Sequence, residues 1–319
     1  MNNAAGDRLG PIAYISVILV AALCTYAYTL HTRSAFACPA SGYSADRYLA
    51  YCSATEYGDF DHGAFWFDLV PGVRENLQSA DVLFLGNSRM QFGFSGESTR
   101  RWFSGVGARY YLAGFAYWEN VNFEIPLLKK MAPTPKMFIV NVDSYFVPEQ
   151  TEPAKAVMHD PSALGHYRRK EFWQRPHRFI CGELPRFCGD HESFYRSVAT
   201  GYYLRQGGDP GAFAVSEDPK IDSVSLGYSV GAAEQLMRAL PVERSCVLFT
   251  IVPTNATKRV QGEALAQRLD VKFISPQIPG LTTFDHSHLD ADSAARWSAA
   301  FFDQAEPEIR RCLAAPHTR

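Results

Sequence analysis

From about residue 80 onward, short apolar runs alternate with segments of helical periodicity. The apolar runs are 82–85, 108–112, 136–143, 246–252 and 271–274. Uninterrupted apolar runs of about four to eight residues are typical of strands buried on both faces of a sheet, as in parallel sheets. Strands separated by helices form such a sheet through crossover connections. The pattern therefore predicts an α/β fold, a three-layer α/β/α sandwich with a central parallel sheet.

Residues 11–30 form an uncharged, strongly apolar segment. A bilayer-spanning helix needs about 20 such residues, whereas the apolar core of a signal peptide has roughly 7–15. We therefore expect one N-terminal transmembrane helix, an uncleaved signal anchor. Ala35-Phe36-Ala37 matches a small-residue cleavage site, so removal of the segment is the alternative. Arg8 before the segment favours a cytoplasmic N-terminus, and Arg33 after it acts against this orientation.

Composition separates three regions: residues 1–33 with a cytoplasmic tip and the anchor, an aromatic-rich leader at 34–79, and the α/β domain at 80–315. Residues 148–225 interrupt the strand–helix alternation and are rich in Pro, His, Arg and aromatic residues. They predict an insertion packed over the carboxyl ends of the strands, which acts as a lid or as a partner-docking surface. The leader is interpreted either as an arm packed against the domain or as an aromatic platform for saccharides.

The chain has seven cysteines, of which Cys24 lies in the apolar segment. An even number of cysteines outside a membrane segment favours disulfides in an oxidising compartment, and free buried thiols are the alternative. Six cysteines allow many pairings. The most economical pairing joins Cys38–Cys52, Cys181–Cys188 and Cys246–Cys312.

Charge and spacing exclude several classes of function. The formal net charge of −2 implies no strong polyanion-binding surface. The sequence has no basic run, no zinc-ligand spacing and no nucleic-acid-binding module, so a nucleic-acid partner is not expected. Asp59-Phe60-Asp61-His62 is interpreted as an ordinary polar loop. We expect neither a metal ion nor a cofactor.

Ser88 follows the first apolar run of the domain, after a break at Gly86. It therefore lies at the carboxyl end of a strand, where open α/β sheets place their catalytic groups, although a serine there more often caps the next helix. Near the other end of the chain, Asp285 and His288 precede a long helical segment. A serine nucleophile needs a base and an acid that orients the base. Ser88, His288 and Asp285 are therefore a candidate catalytic triad, with His286 as a competing base.

Two motifs resemble the first and last sequence blocks of the SGNH, or GDSL, esterases and acyltransferases. Gly86-Asn87-Ser88 resembles their Gly-Asp-Ser block, and Asp285-His286-Ser287-His288-Leu289 resembles their Asp-x-x-His-Leu block. The resemblance covers roughly residues 80–312. It implies Ser88 as the nucleophile, Asp285 as the orienting acid and His288, which has the family spacing from Asp285, as the base.

The resemblance also implies two oxyanion donors. Gly114, after the second predicted strand, occupies the place of a family glycine whose N–H faces the developing oxyanion. The third family block, Gly-x-Asn-Asp, is altered here to Asn141-Val142-Asp143 without the glycine. The Asn141 amide is expected to donate to the oxyanion, whereas an ionised Asp143 would repel it.

With its single anchor, the chain resembles most the membrane-bound branch of the superfamily. This branch comprises the periplasmic polysaccharide O-acetyltransferases and the D-alanine transfer protein of teichoic acids. This branch implies an O-acyltransferase held in the bacterial inner membrane with its catalytic domain in the periplasm. The implied partners are an acyl donor, a membrane acyltransferase of the MBOAT type and a polysaccharide or glycan acceptor. An SGNH esterase or carbohydrate deacetylase is the alternative, and a non-catalytic glycan-binding scaffold is the third hypothesis.

Overall fold

The computed structural model of the chain describes residues 10–32, 35–53, 57–94 and 96–315. The helices, in chain order, are α1 Pro11–Thr32, α2 Asp61–Trp66, α3 Val73–Gln78, α4 Ser88–Gly93, α5 Gly96–Val106, α6 Val121–Met131, α7 Glu152–His159, α8 Ala163–Glu183, α9 Ser223–Ala239, α10 Arg259–Leu269 and α11 Ala291–Ala314. The strands are β1 Arg47–Cys52, β2 Gly58–Asp59, β3 Val82–Leu85, β4 Tyr110–Leu112, β5 Met137–Asn141, β6 Ser193–Ser197, β7 Tyr203–Gln206, β8 Phe213–Ala214, β9 Val247–Thr250, β10 Lys272–Phe273 and β11 Thr282–Thr283. Short 3-10 helices lie at Pro185–Phe187 and Arg244–Cys246.

Five strands form the predicted parallel sheet, in the order β10-β9-β5-β3-β4. Each predicted apolar run contains one of these strands, which confirms the α/β assignment. From β3 the chain adds β4 on one side and then β5, β9 and β10 on the other, so the order reverses between β3 and β5. Open α/β sheets bind ligands outside the carboxyl ends of their strands at such a reversal. The segment that follows β3 begins at this point.

Helices pack around this sheet through two separate apolar clusters. Successive residues of a strand face opposite sides of the sheet. Leu83 and Leu85 of β3 accordingly belong to one cluster, which includes side chains of α3, α6, α9 and α10. Val82 and Phe84 belong to the other, together with side chains of α5 and α11. The carboxyl end of β3 is therefore held rigidly between two packed cores.

The leader and the insertion share a second, antiparallel sheet in the order β2-β1-β6-β7. The leader strand β1 pairs with the insertion strand β6. Phe60 and Phe65 of the leader are fully buried, and Tyr48 and Tyr57 nearly so. These aromatic side chains are therefore core residues, and they do not form the exposed saccharide platform considered as one interpretation of the leader.

The insertion also contains α8, a helix of 21 residues that the apolar pattern did not predict. Its buried side carries Tyr167, His177 and Cys181, whereas Phe172 and Phe179 are exposed to solvent. Because the buried side includes a histidine and the exposed side includes two phenylalanines, hydrophobic periodicity does not clearly mark the inner face of this helix.

Three disulfides join Cys38 to Cys52, Cys181 to Cys188 and Cys246 to Cys312. The economical pairing is therefore confirmed. The third disulfide links the segment before β9 to the end of α11, and so connects the sheet to the last helix. Disulfides are characteristic of proteins that fold in an oxidising, extracytoplasmic compartment.

Within the described residues, α1 is the one helix that is long and apolar enough to cross a membrane. Its segment Pro11–Tyr28 has a mean hydropathy of 1.8, and none of that segment is buried. This length and composition fit either a signal sequence or a membrane anchor.

Candidate active site

Ser88 is the first residue of α4 and lies on the turn that follows β3. Gly86 on this turn has φ +150°, and a Cβ atom there would lie 3.0 Å from the Asn141 Cβ atom, so glycine is required. Asn87 is the N-cap of α4, because its side chain accepts a hydrogen bond from the Arg89 N–H at 3.0 Å. The Ser88 hydroxyl is thus not used for capping and is available for another role.

The structure brings Ser88, His288 and Asp285 into one hydrogen-bonded chain. His288 Nε2 lies 2.7 Å from Ser88 Oγ, and His288 Nδ1 lies 2.7 Å from Asp285 Oδ2. Asp285 Oδ1 accepts the backbone N–H groups of Ser287 at 3.0 Å and of His288 at 2.8 Å. These two backbone bonds fix the carboxylate while its second oxygen contacts the imidazole.

The electrostatics of the loop favour an ionised Asp285. Burial raises the pKa of its carboxyl group, but the hydrogen bonds and charge of His288 lower the pKa by more, to below its usual value. An ionised carboxylate accepts the Nδ1–H of His288 and leaves Nε2 unprotonated toward Ser88. Phe92 and Phe284 flank the imidazole ring at centroid distances of 5.0 and 5.5 Å. The arrangement can therefore accept the Ser88 proton.

His286, the competing base, points elsewhere. Its ring stacks on Phe213 with centroids 3.5 Å apart, and its Nδ1 lies 3.3 Å from Asn255 Nδ2. Its backbone is left-handed, with φ 71°. The loop thus presents His288, and not His286, to Ser88.

Gly114 packs directly against the turn that carries Ser88. A Cβ atom at Gly114 would lie 2.7 Å from the Asn87 carbonyl oxygen, so glycine is required for this close approach. The N–H groups of Ala113 and Phe115 donate to carbonyls of β3 and of the turn. Among the hydrogen bonds of the described residues, none uses the Gly114 N–H that lies between them. The Ser88 N–H, at the start of α4, also has no intrahelical acceptor.

Two buried side chains fix the Gly114 peptide. Gln91 Nε2 donates to the Gly114 carbonyl at 2.7 Å, and Arg196 of β6 donates to the same oxygen. Arg196 also forms an ion pair with Asp61 of α2, with nitrogen and oxygen 2.9 Å apart. All three side chains are buried. The insertion and the leader therefore reach the candidate site, at the carboxyl ends of β3 and β4.

Asn141 lies at the end of β5 and is fully buried. Its Oδ1 accepts the Val252 N–H at 3.1 Å, and its Nδ2 has no hydrogen-bond partner among the described residues. An unpaired buried amide is a group that a substrate oxygen would satisfy. The oxyanion role of Asn141 stays a prediction.

Arg89 compensates the negative charge of Asp143, which would otherwise repel a developing oxyanion. Its guanidinium group forms an ion pair with the Asp143 carboxylate, and both side chains are largely buried. Arg89 Nε also donates to Ser287 Oγ at 2.9 Å. The charge of Asp143 is therefore compensated beside the candidate site, and α4 is tied to the loop that carries His288.

Glu124 of α6 binds the backbone of the turn that carries Ser88. Its Oε1 accepts the Gly86 N–H at 3.1 Å, and its Oε2 accepts the Tyr145 hydroxyl at 2.5 Å. Burial raises the pKa of Glu124 well above its usual range, although the hydrogen bonds from Tyr145 and Gly86 act in the opposite direction. A neutral carboxyl group adds no negative charge near a developing oxyanion.

Two aromatic residues after Gly114 have an unusual backbone. Tyr117 and Trp118 are both left-handed, with φ 61° and 59°. This conformation costs roughly 1–2 kcal/mol for each residue that is not glycine. Trp118 is 62% exposed, and its ring lies over the Arg89 guanidinium, with the centroid 4.9 Å from Cζ. Strained residues persist where the surrounding structure holds them, and they are frequent at functional sites.

A buried ion network holds this loop. Glu119, directly after Trp118, lies 2.8 Å from His62 Nε2, and Asp59 lies 2.9 Å from His62 Nδ1. Burial lowers the pKa of His62, but Asp59 and Glu119 raise it to about 10. The imidazole is therefore a cation between two carboxylates. Residues 59–62, which the sequence analysis interpreted as an ordinary polar loop, are therefore part of the core. Among the described residues, no cluster of His, Cys, Asp and Glu could hold a metal ion.

Comparison with known proteins does not assign the chain to a family. No protein-family model, no curated protein and no solved structure matches the chain.

Proposed function

We propose that this chain is a membrane-anchored serine O-acyltransferase with an SGNH-like, three-layer α/β/α fold. The hydrogen-bonded chain from Ser88 through His288 to Asp285 is the single observation that carries the proposal. The position of Ser88 at the reversal of strand order supports it, because that is where open α/β sheets bind ligands. The two apolar clusters on opposite faces of the sheet support the three-layer arrangement.

In the proposed mechanism, Ser88 Oγ attacks the carbonyl carbon of an acyl donor while His288 Nε2 takes its proton. Asp285 stabilises the imidazolium that forms. The tetrahedral intermediate then expels the donor alcohol, to which His288 returns the proton, and an acyl-Ser88 intermediate remains. A glycan hydroxyl next attacks this ester as His288 accepts its proton. The second tetrahedral intermediate then releases the acylated glycan and expels Ser88 Oγ, to which His288 returns the proton.

The oxyanion of both intermediates needs donors close to Ser88. The backbone N–H groups of Ser88 and Gly114 are proposed for this role, because they lie on adjoining turns after β3 and β4 and the Gly114 N–H has no acceptor among the described residues. Gln91 and Arg196 fix the Gly114 peptide, which keeps that donor in place as charge develops. Asn141 Nδ2 is proposed as a third donor. The Arg89–Asp143 ion pair prevents the acidic residue of the altered third block from opposing the reaction.

Trp118 is proposed as the binding platform for the acceptor. The indole of Trp118 is exposed, lies against Arg89 and is carried on a left-handed backbone, and it suits stacking against the apolar face of a sugar ring. A polymer acceptor also suits an enzyme anchored at the membrane where envelope glycans are assembled. We place the catalytic domain in the periplasm of a bacterium, with α1 in the inner membrane and an MBOAT-type acyltransferase as the source of acyl groups.

Hydrolysis by an SGNH esterase or deacetylase is the second candidate. The side chain of Asp285 is 38% exposed, so water has access to the edge of the triad and could replace the glycan hydroxyl. The two candidates share the acyl-Ser88 intermediate and differ only in the acceptor.

The test is intact-protein mass spectrometry of the full chain in detergent after exposure to an activated acetyl ester. We expect one acetyl adduct on the wild type and none on Ser88→Ala. His286→Asn is the matched control for His288→Ala, because asparagine tolerates the left-handed backbone at residue 286. The control should be acetylated at the wild-type rate, and His288→Ala should be far slower.

Candidate oligosaccharides added to the acetylated protein then separate the two reactions. Transfer yields an acetylated sugar, whereas hydrolysis yields acetate alone. If the wild type is neither acetylated nor labelled by a fluorophosphonate, the proposal fails, and the glycan-binding scaffold becomes the better hypothesis.

A further inference from the structure

The outer face of α8 is a surface that the proposed chemistry does not use. With about 100° of rotation per residue, one side of the helix presents Arg168, Arg169, Phe172, Arg175 and Phe179. We call these five residues the basic-aromatic face. All five are exposed, Phe172 at 71% and Phe179 at 70%. Large aromatic side chains that remain in water on a folded protein indicate an interaction surface.

The charges of this face are uncompensated. Among the described residues, no carboxylate lies within ion-pair distance of Arg168, Arg169 or Arg175. The neighbouring acidic residues of α8, Glu171 and Glu183, are fewer than the arginines. The face therefore combines positive charge with exposed phenyl rings, the composition of helices that lie in the interface of an anionic bilayer.

The chain connectivity places α8 beside the end of α1. Phe36 follows the last residue of α1 by four positions, so the two lie within about 14 Å along the chain. The Phe36 ring packs on Trp173 of α8 at a centroid distance of 5.1 Å. The Cys38 carbonyl lies 3.0 Å from Nε2 of His177, also on α8. A membrane that contains α1 is therefore close to α8.

We propose that the basic-aromatic face lies on the membrane that α1 enters, with its phenyl rings in the interface and its guanidinium groups on anionic phospholipid headgroups. This inference rests on the anchor of the proposed function, and it is independent of acyl transfer. An anchor alone allows the domain to rotate and tilt at the end of a short tether. Contact through α8 gives the domain one orientation.

Hydrogen bonds from the inner face of α8 connect the helix to the candidate site, so the orientation of α8 also fixes the orientation of the site. The Tyr167 hydroxyl donates to Asp59 Oδ2 at 2.9 Å. Asp59 binds His62, which binds Glu119, and Glu119 follows the exposed Trp118. A continuous buried network thus joins the membrane-facing helix to the proposed acceptor platform, which acquires a defined height and direction above the bilayer.

The test uses the full chain with a protease recognition sequence inserted between Arg33 and Ser34. The protein is reconstituted, domain outward, into vesicles of phosphatidylcholine alone or with phosphatidylglycerol. After cleavage, sedimentation measures the fraction of the domain that stays on the vesicles. We expect retention on the phosphatidylglycerol vesicles at low ionic strength, release by salt, and release from phosphatidylcholine alone.

Paired substitutions locate the contact. Phe172→Ser with Phe179→Ser, and separately Arg169→Gln with Arg175→Gln, should release the domain. Each arginine removed should weaken retention about fivefold. The matched control uses α9, where Val224 and Tyr228 are also exposed and where the one basic residue of the helix is Arg238, in its last turn. Val224→Ser with Tyr228→Ser should leave retention unchanged. All these side chains are exposed, so unchanged thermal unfolding verifies the fold of each variant.

Release of the wild-type domain from both kinds of vesicle would overturn the proposal and leave the face to a protein partner. Equal release of the α8 and α9 variants would also overturn it. The anchor is tested separately: if alkaline buffer removes the uncleaved chain from the vesicles, α1 is not a membrane anchor. The chemistry is tested by acetylation of Ser88, which depends on neither of these results.

Discussion

Replacing Asp285 with asparagine should abolish catalysis by reversing the tautomer of His288. The new Oδ1 can still accept the backbone N–H groups of Ser287 and His288, as the carboxylate does. The new Nδ2 then takes the place of the oxygen that lies 2.7 Å from His288 Nδ1. Two N–H donors cannot face each other, so Nδ1 must become an acceptor. The ring proton moves to Nε2, which then donates to Ser88 Oγ and cannot accept its proton.

The expected loss is about 10⁴-fold in the rate of acyl-Ser88 formation, equivalent to about 5.5 kcal/mol of transition-state stabilisation. The substitution keeps the volume of the side chain and two of its hydrogen bonds, so the fold should be retained. Stopped-flow measurement of the acylation burst with an activated acetyl ester gives the rate directly.

Asp290→Asn is the matched control for Asp285→Asn. Asp290 accepts the Ser293 N–H at 2.8 Å as the N-cap of α11, a role that asparagine fills equally well. Its substitution should leave the acylation rate unchanged. A loss of less than about tenfold in Asp285→Asn would refute the tautomer argument, as would an equal loss in both variants.

Three further measurements probe the fold and the acceptor platform. Protonated His62 stabilises the fold fully below pH 6.5, and this contribution is lost as the pH rises to about 10. The free energy of unfolding should therefore fall by roughly 3–5 kcal/mol over that interval relative to His62→Gln, and parallel urea-unfolding curves against pH would contradict this. Removing the Cys246–Cys312 disulfide by alanine substitution of both residues should lower the free energy of unfolding by about 2–4 kcal/mol, and an unchanged urea midpoint would disprove the cross-link's role. Trp118→Ala should raise the KM for a glycan acceptor about 3–10-fold with little change in kcat, and steady-state transfer kinetics with an unaltered KM would exclude the platform.

The parallel sheet could be predicted because each of its strands is a local apolar run. Val82 to Leu85 is uninterrupted in sequence and fully buried in the structure. The second sheet left no comparable signal. It pairs Tyr48 with Arg196, about 150 residues apart, through short strands of mixed polarity. Such pairing depends on chain topology, which local periodicity does not encode.

The three residues of the proposed triad could be selected from sequence because their residue types and order meet a chemical requirement. The residues that support them could not. Arg89, Glu119 and Glu124 are charged side chains in or beside helical segments, which sequence reasoning assigns to solvent. A sequence signal exists for Glu124 alone, since it stands between the apolar residues Phe123 and Ile125.

Local composition was sufficient for the apolar anchor segment, the strands of the parallel sheet, an economical disulfide pairing and a candidate Ser–His–Asp set. These features depend on neighbouring residues or on chemistry that few residue types can perform. Tertiary structure alone decided that His288 and not His286 faces Ser88, that Arg89 neutralises Asp143, and that a buried His62 cation holds the loop of Trp118. Each of these contacts joins distant segments through low-dielectric surroundings, where position in space, and not in sequence, sets the interaction energy.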